Sequence, residues 1–211
     1  MVGRSIRLQS VAAKSLFAAR AGATAVLMIM LAIGATATFV PVSISASAEF
    51  SRSGEYELKA VFLYNFIKFT EWPVEELANK SEPFVIGILG RDPFGAMLNK
   101  VIEGETFQNK TIVVRRFPRM DEAAASSEVL FIASSEENNL PAILRLLDGQ
   151  PVLTISEVEN FAQRGGMIQL KKENNKIAFE INVEAAKRAR LAMNAQLLRL
   201  AKIVKNEPGR F

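Results

Sequence analysis

The chain has 211 residues, a formal net charge of +4, and neither histidine nor cysteine. The missing histidine removes the commonest general base and metal ligand, and the missing cysteine removes thiolate nucleophiles, zinc–sulfur sites and disulfide bonds. Any chemistry would therefore depend on carboxylates, hydroxyls, lysines and arginines.

The first 48 residues differ from the rest of the chain. They carry 4 basic residues and no acidic one, so residues 49–211 are formally neutral and show no electrostatic footprint for nucleic acid. The basic residues precede an apolar stretch over residues 21–40, and Ala46-Ser47-Ala48 follows it. This order predicts a secretory signal peptide over residues 1–48, cleaved after Ala48, which places the remainder outside the cytoplasm. An uncleaved anchor is the alternative, since the apolar stretch approaches the roughly 20 residues that span a bilayer.

Residues 55–72 predict a helix that ends where Pro73 interrupts backbone hydrogen bonding. Apolar side chains cover most of its circumference, which is typical of a helix buried on several sides, and contact with a partner is the alternative. Its narrow polar strip consists of Glu57, Tyr64, Lys68 and Glu71.

Strands and helices alternate in the next part of the chain. The continuous apolar run 84–89 predicts a strand covered on both faces. Asp92 is the predicted N-cap, with Pro93 in the first turn, of a helix through residue 102. The remaining predicted elements are strands over residues 111–117, 129–133 and 152–155 and helices over residues 139–147 and 157–164, the last closed by Gly165-Gly166.

The pattern changes after residue 166. Residues 167–171 and 176–182 flank a polar turn, which predicts an antiparallel hairpin with Glu180 and Asn182 on a solvated face. Residues 183–191 and 196–205 predict two terminal helices. For residues 49–211 the whole pattern predicts a single α/β domain, a three-layer α/β/α sandwich with a mixed, mostly parallel sheet and a late antiparallel hairpin.

No segment matches a catalytic, cofactor or metal motif. Three acidic pairs are predicted to lie on solvated surface or at helix starts. They are Glu75-Glu76, Glu136-Glu137 and Glu157/Glu159. Residues 87–95 predict a plain strand–turn–helix connection, because they match neither phosphate-binding fingerprint and Pro93 lacks an N–H. The cluster Arg115, Arg116 and Arg119 predicts protection of a sheet edge, with anion binding as the alternative.

Four segments carry an ordered set of features. Residues 57–73 are an aromatic-rich helix closed by Trp72-Pro73, and residues 84–95 hold Ile-Gly-Ile-Leu-Gly followed by Asp-Pro-Phe-Gly. Residues 152–168 combine a strand with a Gly-Gly turn, and residues 177–201 form the C-terminal part. In this order the set resembles the YfiR-like family, the periplasmic repressors of membrane-bound diguanylate cyclases.

The resemblance implies a periplasmic protein, not an enzyme and without a cofactor, that holds an inner-membrane diguanylate cyclase inactive by binding its periplasmic sensor region. It further implies a homodimer, and release of the cyclase when an outer-membrane peptidoglycan-binding lipoprotein sequesters the repressor, so that cyclic di-GMP and biofilm formation rise. Exposure in the predicted elements makes Tyr64, Lys68, Glu180 and Asn182 the candidate partner-binding residues.

The chain departs from the family at some positions. Some members carry cysteines, which this chain lacks, so thiol-based sensing cannot operate here. Arg190 and Asn194 stand where the family more often has Gly and Ser. A small-ligand sensor or solute-binding component for another membrane receptor, such as a histidine kinase, is the alternative function; an enzyme that uses carboxylates has the least support.

Overall fold

A computed structural model of the chain describes residues 45–73, 83–121, 126–174 and 176–206, with side chains from residue 53 onwards. Residues 1–44, which hold most of the predicted signal peptide, and the pair Glu75-Glu76 lie outside the described residues. The helices are α1 (Ser45–Lys68), α2 (Ala96–Ile102), a 3₁₀ helix (Ser134–Asn139), α3 (Leu140–Leu147), α4 (Val183–Arg188) and α5 (Ala195–Leu200). The strands are β1 (Thr70–Glu71), β2 (Phe84–Leu89), β3 (Thr106–Phe107), β4 (Lys110–Phe117), β5 (Val129–Ile132), β6 (Leu153–Ser156), β7 (Ile168–Glu173), β8 (Lys176–Asn182), β9 (Ala192–Met193) and β10 (Lys202–Val204).

Eight of the described strands form one mixed sheet in the order β10-β8-β7-β6-β5-β2-β4-β3. Five neighbouring strands run parallel to one another: β4, β2, β5, β6 and β7. Strands β7 and β8 form the antiparallel hairpin. At the two ends of the sheet, β10 is parallel to β8 and β3 is antiparallel to β4. Strands β1 and β9 form a separate antiparallel pair. The predicted α/β class, the mostly parallel sheet and the late hairpin are confirmed.

Apolar side chains of the central strands divide between two buried clusters. Ile88 and Phe131 belong to the larger cluster, together with α1 and α2. Leu89 and Leu130 belong to the smaller one, together with α3. Because successive residues of a strand point to opposite faces, the two clusters lie on opposite faces of the sheet.

Helix α1 packs across the hairpin through aromatic side chains. The rings of Phe66 and Phe179 of β8 lie 5.2 Å apart in an edge-on arrangement, and Leu63 and Ile67 are fully buried.

The predicted end of this helix at Trp72 is wrong. The helix stops at Lys68 because the chain then pairs with β9, where Thr70 lies opposite Met193.

Two predictions in the middle of the chain need correction. Asp92 does not cap α2: its Oδ1 accepts a hydrogen bond of 2.7 Å from the N–H of Phe94, which closes a turn, and α2 begins after Gly95. Residues 157–164 are not a helix. They form a series of turns closed by the N–H of Gly166, which donates to the carbonyl of Phe161 at 3.0 Å.

The C-terminal prediction is also partly wrong. The helix predicted over residues 183–191 ends earlier, as α4 at Arg188. The helix predicted over residues 196–205 covers only α5, because Ala201 has an extended backbone (φ −93°, ψ 152°) and the chain continues as β10 along the open edge of β8. Pairing with a strand edge therefore overrides the helical spacing of the apolar residues.

Candidate functional site

Two of the four candidate partner-binding residues lie on α1. The Tyr64 hydroxyl donates to the Glu105 carboxylate, and the side chain of Tyr64 is buried. Lys68 is exposed, with its Nζ 4.5 Å from the centre of the Tyr64 ring. A hydrogen bond with the Tyr64 hydroxyl holds the pKa of Lys68 above its usual value. Of this pair, Lys68 alone presents its side chain to solvent.

The other two candidates lie on β8, and the expectation that they are solvated is wrong. Glu180 is 2% exposed and Asn182 is fully buried. The Asn182 Oδ1 accepts a hydrogen bond from the N–H of Ala185 at 3.0 Å and so caps α4, while its Nδ2 donates to the carbonyl of Ala162 at 2.7 Å. Asn182 therefore holds two segments together.

Strand β10 and neighbouring lysines explain the burial of Glu180. The carboxylate accepts hydrogen bonds from Lys171 at 3.0 Å, from Lys202 at 2.9 Å and from Gln163 at 2.6 Å. Polar and apolar residues do alternate along β8, but the negative charge of Glu180 is balanced by lysines of the protein itself. The sequence pattern does not reveal these contacts of Glu180, because it predicts that Lys202 lies on a helix.

The exposed strip of α1, which we define as Glu57, Leu58, Val61 and Lys68, is the surface that the structure presents instead. Leu58 is 44% exposed and Val61 38% exposed, although the apolar pattern of this helix predicts burial on several sides. No signal in the helical pattern separates them from the buried residues, since apolar side chains occupy nearly every direction around this helix.

A cleft of about 720 Å³ opens at the carboxyl ends of β2, β5 and β6. After β2 the chain forms β4 on one side of β2, and it later forms β5 on the other side. The direction in which strands are added to the sheet therefore reverses between β2 and β5. Such a switch point is where open α/β sheets bind ligands. We call this the switch-point cleft; its walls include Tyr56, Arg91, Asp92, Ser134, Ser135 and Glu157.

Ion pairs tie the floor of the cleft to α1. Lys59, which is 4% exposed, lies 2.5 Å from Glu157 Oε2 and 2.6 Å from Glu55 Oε1. The Tyr56 hydroxyl donates to Glu157 Oε1 at 2.9 Å. Burial raises the pKa of the Glu55 carboxyl, but hydrogen bonds from Lys172 and Lys59 outweigh burial and hold that pKa below its usual value.

The loop after β2 uses its backbone donors internally. The N–H of Gly90 donates to the carbonyl of Phe117 at 2.8 Å, and the N–H of Arg91 donates to Ser135 Oγ at 2.9 Å. With the N–H of Phe94 bonded to Asp92, these groups are not free to cradle a phosphate. The loop is a strand–turn–helix connection, as its sequence predicts.

The basic cluster does not act as a unit. Arg116 bonds to Asp92 at 2.7 Å and to Asn99 at 2.7 Å, which fixes the loop against α2. Arg115 and Arg119 are exposed. Within the described residues, no group of three acidic side chains has the geometry to hold a metal ion, and no helix is long and apolar enough to cross a membrane.

The family model described as YfiR/HmsC-like matches residues 56–202, well over half of the chain. The chain belongs to the YfiR/HmsC-like family. The resemblance read from residues 55–204 is thereby confirmed. YfiR/HmsC-like proteins are periplasmic regulators rather than enzymes, and they act in diguanylate cyclase signalling. A comparison with curated proteins found no match.

Two of the departures from the YfiR/HmsC-like pattern, Arg190 and Asn194, fall between α4 and α5. Arg190 has a φ of +59°, a conformation that glycine adopts more easily. Asn194 caps α5, its Oδ1 accepting a hydrogen bond from the N–H of Gln196 at 2.7 Å. Serine also accepts such a bond at this position, so the change preserves the cap.

Proposed function

We propose that this chain represses an inner-membrane diguanylate cyclase by binding its periplasmic sensor region. An outer-membrane peptidoglycan-binding lipoprotein relieves the repression, the repressor is a homodimer, and the outcome is control of cyclic di-GMP and biofilm formation. The signal peptide of residues 1–48 delivers the chain to the periplasm. The observation that supports this function most is the family match, which runs from α1 to β10.

Binding rather than catalysis fits the chemistry of the described residues. Both carboxylates that line the switch-point cleft already accept hydrogen bonds from neighbours, Glu157 from Tyr56 and Lys59 and Asp92 from Arg116. Their oxygens are therefore already engaged within the protein, which leaves fewer lone pairs for contact with a substrate.

The exposed strip of α1 is the proposed contact with the cyclase. Leu58 and Val61 supply apolar area between charged Glu57 and Lys68, which suits the apolar centre and polar rim of a protein interface. Of the four residues proposed from the sequence, Lys68 keeps a direct contact. Tyr64 positions Lys68, and Glu180 and Asn182 act by holding β8, β10 and α4 in place.

A pair of leucine variants tests this surface. Leu58→Asp places a charge on the exposed strip, while Leu146→Asp makes the same change at a leucine of α3 that is 56% exposed. Leu58→Asp is expected to weaken capture of the cyclase's periplasmic region about tenfold or more, which corresponds to about 1.4 kcal/mol of binding free energy. Capture is measured with the purified periplasmic regions of the host's membrane-bound diguanylate cyclases.

Leu146→Asp is the matched control and is expected to bind as the unchanged protein does. Equal binding by both variants would remove the strip from the interface. If Leu58→Asp instead converts a dimer to a monomer and leaves capture intact, the strip is a dimer contact and the proposed surface is wrong.

The switch-point cleft favours a second candidate function, a small-ligand sensor for another receptor such as a histidine kinase. Its volume lies in the range of small-molecule sites. A ligand that binds only the folded state raises the melting temperature, so a thermal-shift screen separates this function from simple protein–protein repression.

A further inference from the structure

Strand β10 lies at one end of the mixed sheet and has an open edge. Among the described strands, only β8 pairs with β10, and the other side of β10 carries no strand. Two side-chain contacts hold β10 in place: Lys202 bonds to Glu180 at 2.9 Å, and Asn182 Nδ2 donates to Asn206 Oδ1. A strand edge that is fixed and unpaired is a template on which another chain can pair.

The register of the sheet shows which backbone groups of β10 face this open edge. The N–H of Asn182 donates to the carbonyl of Met167 at 2.8 Å and so faces away from β10. The N–H and carbonyl of the preceding residue, Ile181, therefore face β10, because the backbone groups of successive strand residues point to opposite edges. Ile181 lies opposite Ile203 and bonds to the residues on either side of it. The N–H and carbonyl of Ile203 are thus directed to the open edge.

The same segment exposes apolar side chains. Leu200 is 77% exposed and Ile203 is 49% exposed, and Leu200 is the most exposed of the large apolar side chains in the described part of the chain. Ile203 shares a face of the sheet with Ile181, since the two are register partners. A strand added beside β10 would therefore bury apolar area at Ile203 as well as pair its backbone.

Charge decides between a second copy of this chain and a different partner. Residues 185–206 contain six basic residues and no acidic one, although residues 49–211 are formally neutral. Three of these basic residues are exposed and form no ion pair with a described residue: Lys187, Arg199 and Lys205. A second copy would bring an identical basic segment to the edge, and like charges across a strand pair are destabilising. Carboxylates on the added strand would instead be attracted.

We propose that the open edge of β10 binds an extended, acidic segment of a protein partner, which adds a strand to the sheet. The partner's backbone bonds to the N–H and carbonyl of Ile203, its apolar side chains pack beside Ile203 and Leu200, and its carboxylates lie among the exposed cations of residues 185–206. Backbone bonds supply affinity in this mode of recognition, and alternate side chains supply selectivity. The surface lies on a different element from the exposed strip of α1.

Three synthetic peptides test the proposal on the purified protein. The first alternates glutamate with valine, the second alternates lysine with valine, and the third repeats the first with every backbone nitrogen methylated. Binding of the labelled peptides is measured by fluorescence anisotropy at physiological ionic strength. The first peptide is expected to bind at least about tenfold more tightly than either of the others, because the second has the wrong charge and the third cannot donate backbone hydrogen bonds.

Two proline variants check the direction of the backbone groups. Ile203→Pro removes an N–H that faces the open edge, so it is expected to weaken binding of the glutamate peptide at least about tenfold while the melting temperature stays close to that of the unchanged protein. Val204→Pro, one residue further on, removes an N–H that bonds to the carbonyl of Ile181 and is expected to lower the melting temperature.

A pair of charge reversals checks the role of the cations. Lys205→Glu is expected to weaken binding of the glutamate peptide about fivefold or more, because an attraction becomes a repulsion. Lys100→Glu, the same change at an exposed lysine of α2, is the matched control and is expected to leave the affinity within about twofold.

Failure of the glutamate peptide to bind at millimolar concentration overturns the proposal. Equal binding of the methylated peptide also overturns it, because attraction to surface charge alone would then explain the affinity. If Ile203→Pro converts a dimer of the protein without peptide to a monomer, the edge belongs to a second copy and the proposal is wrong. The assay contains no cyclase, so its failure leaves the proposed repression untouched, and failure of the repression leaves this surface untouched.

Discussion

Glu180 shows how a single buried carboxylate links three segments of the protein. Burial raises the pKa of its carboxyl, but hydrogen bonds from Lys202, Gln163 and Lys171 outweigh burial and hold that pKa below its usual value. The charged form is therefore favoured by folding. Its partners come from β10, from the turns before β7 and from β7 itself.

Glu180→Gln is expected to lower the free energy of unfolding by about 1–3 kcal/mol at pH 7, since hydrogen bonds to a charged group are lost. A carboxyl with a lowered folded-state pKa contributes its full stability above the unfolded pKa of about 4.3, and loses it as pH falls through the folded pKa. The difference between the two proteins in urea unfolding should thus shrink in acid. A difference that stays constant from pH 7 to pH 3 would contradict this role.

Gly90 and Gly95 lie in the same loop but differ in the space around them. Both have positive φ, +87° and +55°. A Cβ at Gly90 would lie 2.5 Å from Ser135 Oγ and 2.8 Å from Glu136 Cγ, whereas a Cβ at Gly95 would meet nothing within 4 Å.

Gly95→Ala is expected to destabilise the protein by about 1 kcal/mol, the cost of a left-handed backbone conformation. Gly90→Ala should destabilise it by about 2–4 kcal/mol, because crowding against the 3₁₀ helix adds to that cost. Urea unfolding of the two variants measures both values. Equal losses would show that Ser135 and Glu136 move aside freely.

At the scale of elements, α1 combines a buried face with an exposed strip. Leu63→Ala is expected to lower the free energy of unfolding by about 2–5 kcal/mol, because this side chain is fully buried and its removal leaves a cavity. Leu58→Ala, five positions earlier on the same helix, should change it by less than about 1 kcal/mol, in line with its exposure. Thermal or urea unfolding measures both losses of stability. A large loss for Leu58→Ala would mean that the exposed strip is packed against other residues in solution.

Most central elements could be predicted from the sequence. Residues 84–89 and 129–133 are continuous runs of apolar, largely β-branched or aromatic side chains, and such runs match β2 and β5 closely. The hairpin was predictable because alternation surrounds a turn in which Asn174 adopts a φ of +48°.

The errors at the end of α1 and after α5 have a common physical cause. Residues 70–71 and 202–204 have no pattern that separates them from the helices they follow, and they become strands only because β9 and β8 present open edges nearby. The predicted exposure of Glu180 is wrong for the same reason, since Lys202 reaches it only from β10. Pairings between distant segments are not encoded in local spacing.

At the scale of the whole molecule, the fold class followed from alternating helices and strands, but the cleft did not. Strand order determines which carboxyl ends meet, and no local pattern reports that β5 lies beside β2 on the side opposite β4. The ordered set of segments identified the family without this knowledge, because it depends on residue types and their order alone. The fold class and the family could thus be predicted from the sequence, whereas the switch-point cleft could be identified only from the structure.

The central claim is that this YfiR/HmsC-like protein acts from outside the cytoplasm to keep a diguanylate cyclase inactive. The most direct test measures cellular cyclic di-GMP after deletion of the gene, with complementation by residues 1–211 and by residues 49–211 alone. Deletion should raise cyclic di-GMP, and only the chain that carries residues 1–48 should restore the original level. An unchanged level in cells that normally express the protein, or restoration by the chain that lacks residues 1–48, would contradict the account.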